Sequence, residues 1–243
     1  MLAGCVHTAS APTVTGWQEL QSTHVRLRTD LPEGSARTTL IRLEELRRWL
    51  QTAWSTGGDS PGTTDAIVLD SPSELRAFTE LRGLATTTRR GAMVVASGIV
   101  ASFGDRSPDQ RLLAHEMAHD IIRRRMPAAP RWFQEGLAGY LESVGQPDAR
   151  HVRFGFISAN RPGAAGADQS VTTAASRSML PLDIVSASQW ETSSSEELFE
   201  LQRSATAWIH LLRAEEPGRW QTLEVAAASG VPWGPWPARS CPP

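Results

Sequence analysis

The stretch RLLAHEMAHDIIRRR, residues 111–125, constrains this chain more than any other, because it sets His115, Glu116 and His119 in the pattern His-Glu-x-x-His. Residues four apart on a helix share a face, with β-carbons about 5–6 Å apart, so two imidazoles there can converge on one metal ion. A glutamate directly after the first histidine sits beside that ion, where it can hold a water and take its proton. The same five residues also describe two core histidines and a surface glutamate that share a helix. A catalytic zinc needs three protein ligands and one open position, so a third ligand and a suitable frame decide between the two readings.

The candidate third ligand is Glu135, sixteen positions after His119. Ser107 is a good N-cap, Pro108 fits the first helical position and Gln110 completes a capping box, so a helix opens just before the motif. Arg123, Arg124 and Arg125 fall in its last turn, where cations complement the helix dipole, a better account of them than an anion site. PAAPR (127–131) then breaks the helix and WFQEGLAGYLES (132–143) resumes one. The chain leaves one helix, reverses and brings a carboxylate back toward the histidines. Gly136 and Gly139 each cost that helix about 1 kcal/mol relative to alanine. Small residues there predict that the second helix packs closely on the metal helix.

At 243 residues the chain is long enough for a substantial core. Its formal net charge of −2 argues against a nucleic-acid surface, which normally carries a basic excess. All 24 basic residues are arginine, which we read as codon bias, since no site chemistry excludes lysine everywhere. No apolar run approaches the roughly 20 residues of a membrane-spanning helix. MLAGC at the start reads like the cleavage site of a bacterial lipoprotein signal, without the basic and apolar regions that normally precede it. The small polar stretch VHTASAPTVTG (6–16) suits a flexible tether. The expectation is an envelope protein attached to the membrane through a lipidated Cys5; the alternative is a cytoplasmic protein with a chance match. With two cysteines there is no disulfide framework, although an unmodified Cys5 could bridge to Cys241.

Alternation in THVRLRTD (23–30) predicts a strand. Leu43, Leu46, Leu50 and Trp54 recur at helical spacing and predict an amphipathic helix over 37–54, ended by Gly57-Gly58. AIVLD (66–70) reads as a buried strand, SPSELRAFTEL (71–81) as a helix, and GAMVVASGIVASF (91–103) as a hairpin about Gly98. Residues 145–178 read as loop with a short strand at VRFGFI. A last clear helix spans 196–213, with Ser194 and Glu197 as its capping box and Leu201, Ala205, Trp208 and Leu212 as its core stripe. The tail VPWGPWPARSCPP cannot be helical. His7, His24 and His151 have no partners at ligand spacing.

The segment HEMAHDIIRRRMPAAPRWFQEGLAGYLE resembles the signature of small gluzincins of the peptidase-MA-like kind, His-Glu-x-x-His, a proline-containing turn, then Trp-x-x-Glu-Gly-x-Ala. The likeness extends more loosely through WQELQSTHVRLRTDLPEG, IVLDSPSELRAF, LPLDIVSAS and LQRSATAWIHLL, spanning roughly residues 17–215. It implies an α+β, zincin-like fold with an N-terminal mixed sheet with helices, an active-site helix bearing the motif and a mostly helical C-terminal part. It implies His115, His119 and Glu135 as zinc ligands, Glu116 as general base, and GIVAS (98–102) as the sheet edge along which a peptide substrate pairs. The expected reaction is zinc-dependent hydrolysis of a peptide or protein substrate by a monomer. Residues 1–16 would form the tether, 17–215 the peptidase domain, and 216–243 a helix remnant with a Pro- and Trp-rich tail.

Two positions depart from that family's pattern. An acidic residue one turn after the third ligand often supports a histidine, and here that position is Gly139; Asp120 and Glu142 are candidate substitutes. The closing helix often carries a tyrosine for oxyanion stabilisation, and here Gln202 stands close to that place. Tyr140, Arg203 and His210 are the other candidates around the ion, weighed against a packing role for Tyr140 and a solvated face for the other two. A zincin-type fold that acts as an envelope binding or scaffolding module is therefore the second expectation.

Overall fold

A computed structural model of the chain describes residues 7–8, 16–54, 62–69, 85–87, 93–97, 108–148, 151–153, 180–187, 190 and 192–229. The fold is α+β. It divides into two compact units, Met1–Ile121 with Val144–Phe154, and Ile122–Ser143 with Gly155–Pro243.

The first unit is built on a mixed sheet of β1 (His7–Thr8), β2 (Gln18–Gln21), β3 (Val25–Thr29), β4 (Thr64–Leu69), β5 (Ala85–Thr87) and β6 (Met93–Ser97) in the order β1-β2-β3-β4-β6-β5. β2 and β3 are antiparallel, joined by a turn in which the Ser22 amide donates to the Val25 carbonyl. β3 and β4 are parallel, Val25 opposite Thr64, so the chain must cross over between them, and α1 (Glu33–Trp54) lies on that crossover. β4 is buried at every position but Asp65, as befits a strand between two parallel neighbours, β3 and β6.

Helix α1 buries Leu40, Leu43, Leu46, Leu50 and Trp54 and packs on β2 and β3 and on the small hairpin of β7 (Gly145–Asp148) and β8 (His151–Arg153). It starts four residues before the predicted Arg37, because the Pro32 carbonyl already accepts the Ala36 amide and Glu33 sits in its first turn. The polar first turn carries no apolar periodicity, so the pattern in the sequence begins late. β2 was not foreseen either: in QELQ only Leu20 is buried. At the start of β3, Glu44 of α1 accepts from the Ser22 hydroxyl and the His24 amide and lies 3.3 Å from His24 Nδ1, so His24 has a structural partner that no spacing announced.

In the second unit α3 (Arg131–Leu141), α4 (Leu182–Ala187), α5 (Ser195–Glu215) and α6 (Pro217–Ala228) form a helical core. The capping box of Ser194 and Glu197 opens α5, as predicted, and the hydrogen bonds from Ser194 hold the Glu197 carboxyl below its ordinary value. The core stripe of α5 is shifted from the predicted one: Leu201, Ala205, Ile209 and Leu212 are buried, whereas Trp208 is half-buried, its indole N–H donating to the Leu180 carbonyl. Phe133 of α3 stacks on Trp220 of α6 with centroids 5.4 Å apart. The Arg213 guanidinium of α5 lies 5.1 Å from both the Trp220 and Tyr140 ring centroids, and burial lowers its pKa.

Helix α2 (Pro108–Arg125) carries the His-Glu-x-x-His motif, and its last turn holds Arg123, Arg124 and Arg125 where the dipole favours them. Cys5, Cys241, Ser107, the helix expected at 71–81, the GIVAS segment and the Pro- and Trp-rich tail lie outside the described residues. Among those described, no helix is long and apolar enough to cross a membrane.

Candidate metal centre

Helix α2 is buried on more than one face: Leu113, Ala114, Met117, Ala118, Ile121 and Ile122 are all in the core. His115 and His119 share that environment, 4% and 7% exposed, while Glu116 between them is half-buried. One helical turn sets the two rings at a centroid distance of 4.8 Å and brings their Nε2 atoms to 3.1 Å. Two nitrogens each about 2.0–2.1 Å from a tetrahedral ion stand about 3.3 Å apart, so the imidazole pair is close to the spacing that a shared ion requires.

Glu135 lies in the first half of α3 and is 3% exposed. A carboxylate so buried needs donors, and it has them on both oxygens. Arg131 reaches Oε1 at 2.7 Å and the Gln202 amide of α5 donates to Oε2 at 2.9 Å. Arg131 is the first residue of α3, where a cation opposes the helix dipole, and an arginine four residues before a glutamate is the weaker order for a helical ion pair. Its position is explained by Glu135 rather than by helix stability. Ligand atoms of His115, His119 and Glu135 all lie within 4.8 Å of one another, the one such group of histidine, cysteine and acidic residues among the described residues. Two imidazole nitrogens and a buried carboxylate fit a first-row divalent ion, zinc among several.

Gly136 and Gly139 allow a close approach of α3 to α5. A β-carbon at Gly136 would stand 2.6 Å from the Ala205 carbonyl oxygen, and one at Gly139 would stand 2.3 Å from Thr206 Oγ1. A side chain at 139 would therefore require Thr206 to shift. Asp120, a candidate to support a histidine, is 1% exposed and accepts from the Thr64 hydroxyl of β4 at 2.7 Å, an anchor between α2 and the sheet. Glu142 is the half-buried C-cap of α3.

Tyr140 is 8% exposed, its ring 5.9 Å from that of His210 and under the Arg213 guanidinium; burial raises its pKa, which suits packing. His210 is exposed, as a solvated face implies. Arg203 is not on such a face: its side chain is 13% exposed and binds Glu200 one turn earlier. The sequence reading missed Arg131 and Gln202 as the holders of Glu135. Arg131 was detectable from its four-residue spacing, whereas Gln202, 67 positions from Glu135, leaves no local signal. No protein-family model matches the chain, and no curated protein matches it.

Proposed function

We propose that the chain is a zinc-dependent metallopeptidase with a zincin-like fold, acting on peptide bonds. The observation that carries this reading is the buried group of His115, His119 and Glu135 with Glu116 beside the first histidine on the same helix. Zinc held by those three residues would supply Lewis acidity toward water and the scissile carbonyl. Glu116, whose half-buried position leaves it partly open to solvent, accepts a proton from the attacking water on its carboxylate and returns it to the leaving nitrogen. His115 and His119 would hold the ion through Nε2, the atoms that face each other at 3.1 Å. Their burial and that of Glu135 keep bulk water from competing for the ligands.

A second reading, a zincin-type fold that binds without cleaving, is favoured by the commitment of Gln202 to Glu135 and by the packed environment of Tyr140. The two readings separate in one experiment: metal analysis of the purified protein together with peptide-library cleavage by wild type and Glu116→Gln. Bound zinc in both proteins, with cleavage reduced about 10²–10⁴-fold in the variant, supports the peptidase. Bound zinc with no cleavage by wild type supports the binding module, and a wild type that holds no metal removes both.

A further inference from the structure

We propose that Gln202 is the positioning residue for Glu135: its side-chain amide sets the orientation in which that carboxylate meets the metal. The inference rests on the reading of His115, His119 and Glu135 as a metal centre. Glutamate reaches its carboxylate through a flexible stem, so a buried one takes its orientation from its donors. Gln202 Nε2 donates to Oε2 at 2.9 Å from the half-buried interior of the helical core.

The helix that carries Gln202 is itself held at a defined distance. Ala205 and Thr206 lie three and four residues after Gln202 and so share its face of α5. They are the two residues against which Gly136 and Gly139 of α3 are closely packed. The Thr206 hydroxyl also donates to the Gln202 carbonyl oxygen at 2.8 Å. The close approach of α3 to α5 thereby fixes the reach of the amide to Glu135, the neighbour of Gly136. An amide donates in every ordinary pH range and brings no charge that competes with a bound cation. Arg131 holds the other oxygen from a half-exposed position at the start of α3, so the two oxygens of Glu135 take their donors from different helices.

Outer partners of metal ligands typically alter affinity by 10–100-fold when removed. Gln202→Met, which keeps the length and removes the donor, is expected to weaken zinc binding about 10–100-fold in chelator competition. The melting temperature of the chelator-treated protein should stay near that of wild type, and the visible spectrum of the cobalt-loaded protein should shift. Gln202→Asn keeps the amide but withdraws it by one methylene, and must show the same loss if reach is what matters. Zinc affinity within twofold of wild type in either folded variant overturns the role of Gln202 alone. A wild type that binds neither zinc nor cobalt overturns the metal centre and this inference together.

Discussion

His115 and His119 are held relative to each other by a single turn of α2, whereas Glu135 is held by Arg131 on its own helix and by Gln202 from far along the chain. The histidine spacing is a local property that any stable helix reproduces. The carboxylate orientation is a tertiary property: it depends on α3 and α5 lying close enough for an amide to reach. The first half of such a site tolerates changes elsewhere in the molecule, and the second half does not. Donor identity matters most in α2, and helix spacing matters most around Glu135.

Three substitutions test that contrast. His119→Ala removes a nitrogen that no other described residue is placed to replace, so metal content after dialysis should fall to background. Retention of a full equivalent of zinc would show that the histidines are core residues after all. Gly136→Ala sets a methyl 2.6 Å from the Ala205 carbonyl oxygen and forces α3 and α5 apart. Overpacking against backbone should cost about 3 kcal/mol in urea unfolding, and zinc affinity should fall with it because the reach of Gln202 is lost. Thr64→Val takes a hydroxyl donor from the buried Asp120 carboxylate at little change in shape. It should cost about 1–2 kcal/mol of stability while leaving zinc affinity close to wild type, because the histidine spacing is set within α2. A large loss of zinc affinity in Thr64→Val, or none in Gly136→Ala, would reverse the comparison.

The sequence was most readable where structure is local. Leu43, Leu46, Leu50 and Trp54 gave the core face of α1, Ser194 and Glu197 gave the start of α5, and the motif spacing gave the histidine pair. It was least readable where a residue's role depends on another helix. Gly136 and Gly139 signalled a close approach, and they allow one to α5, but a glycine says nothing about which neighbour approaches. Trp208 matched the helical period of the core stripe, yet its indole N–H needs an acceptor, and it sits at the margin where the Leu180 carbonyl supplies one. Gln202 looked like a substitute for a tyrosine that the resemblance led one to expect. Its bond to Glu135 spans 67 positions, which no local pattern encodes.

The stack of Phe133, Trp220, Arg213 and Tyr140 bears on where the chain can be cut. Phe133 lies two residues before Glu135 on α3, and its ring is covered by Trp220, which belongs to α6. A fragment that stops after α5 would expose that ring and take the indole away from Arg213. Expression trials that trim the C-terminus should therefore keep α6 through Ala228. The far end of the described chain is, in engineering terms, part of the wall behind Glu135.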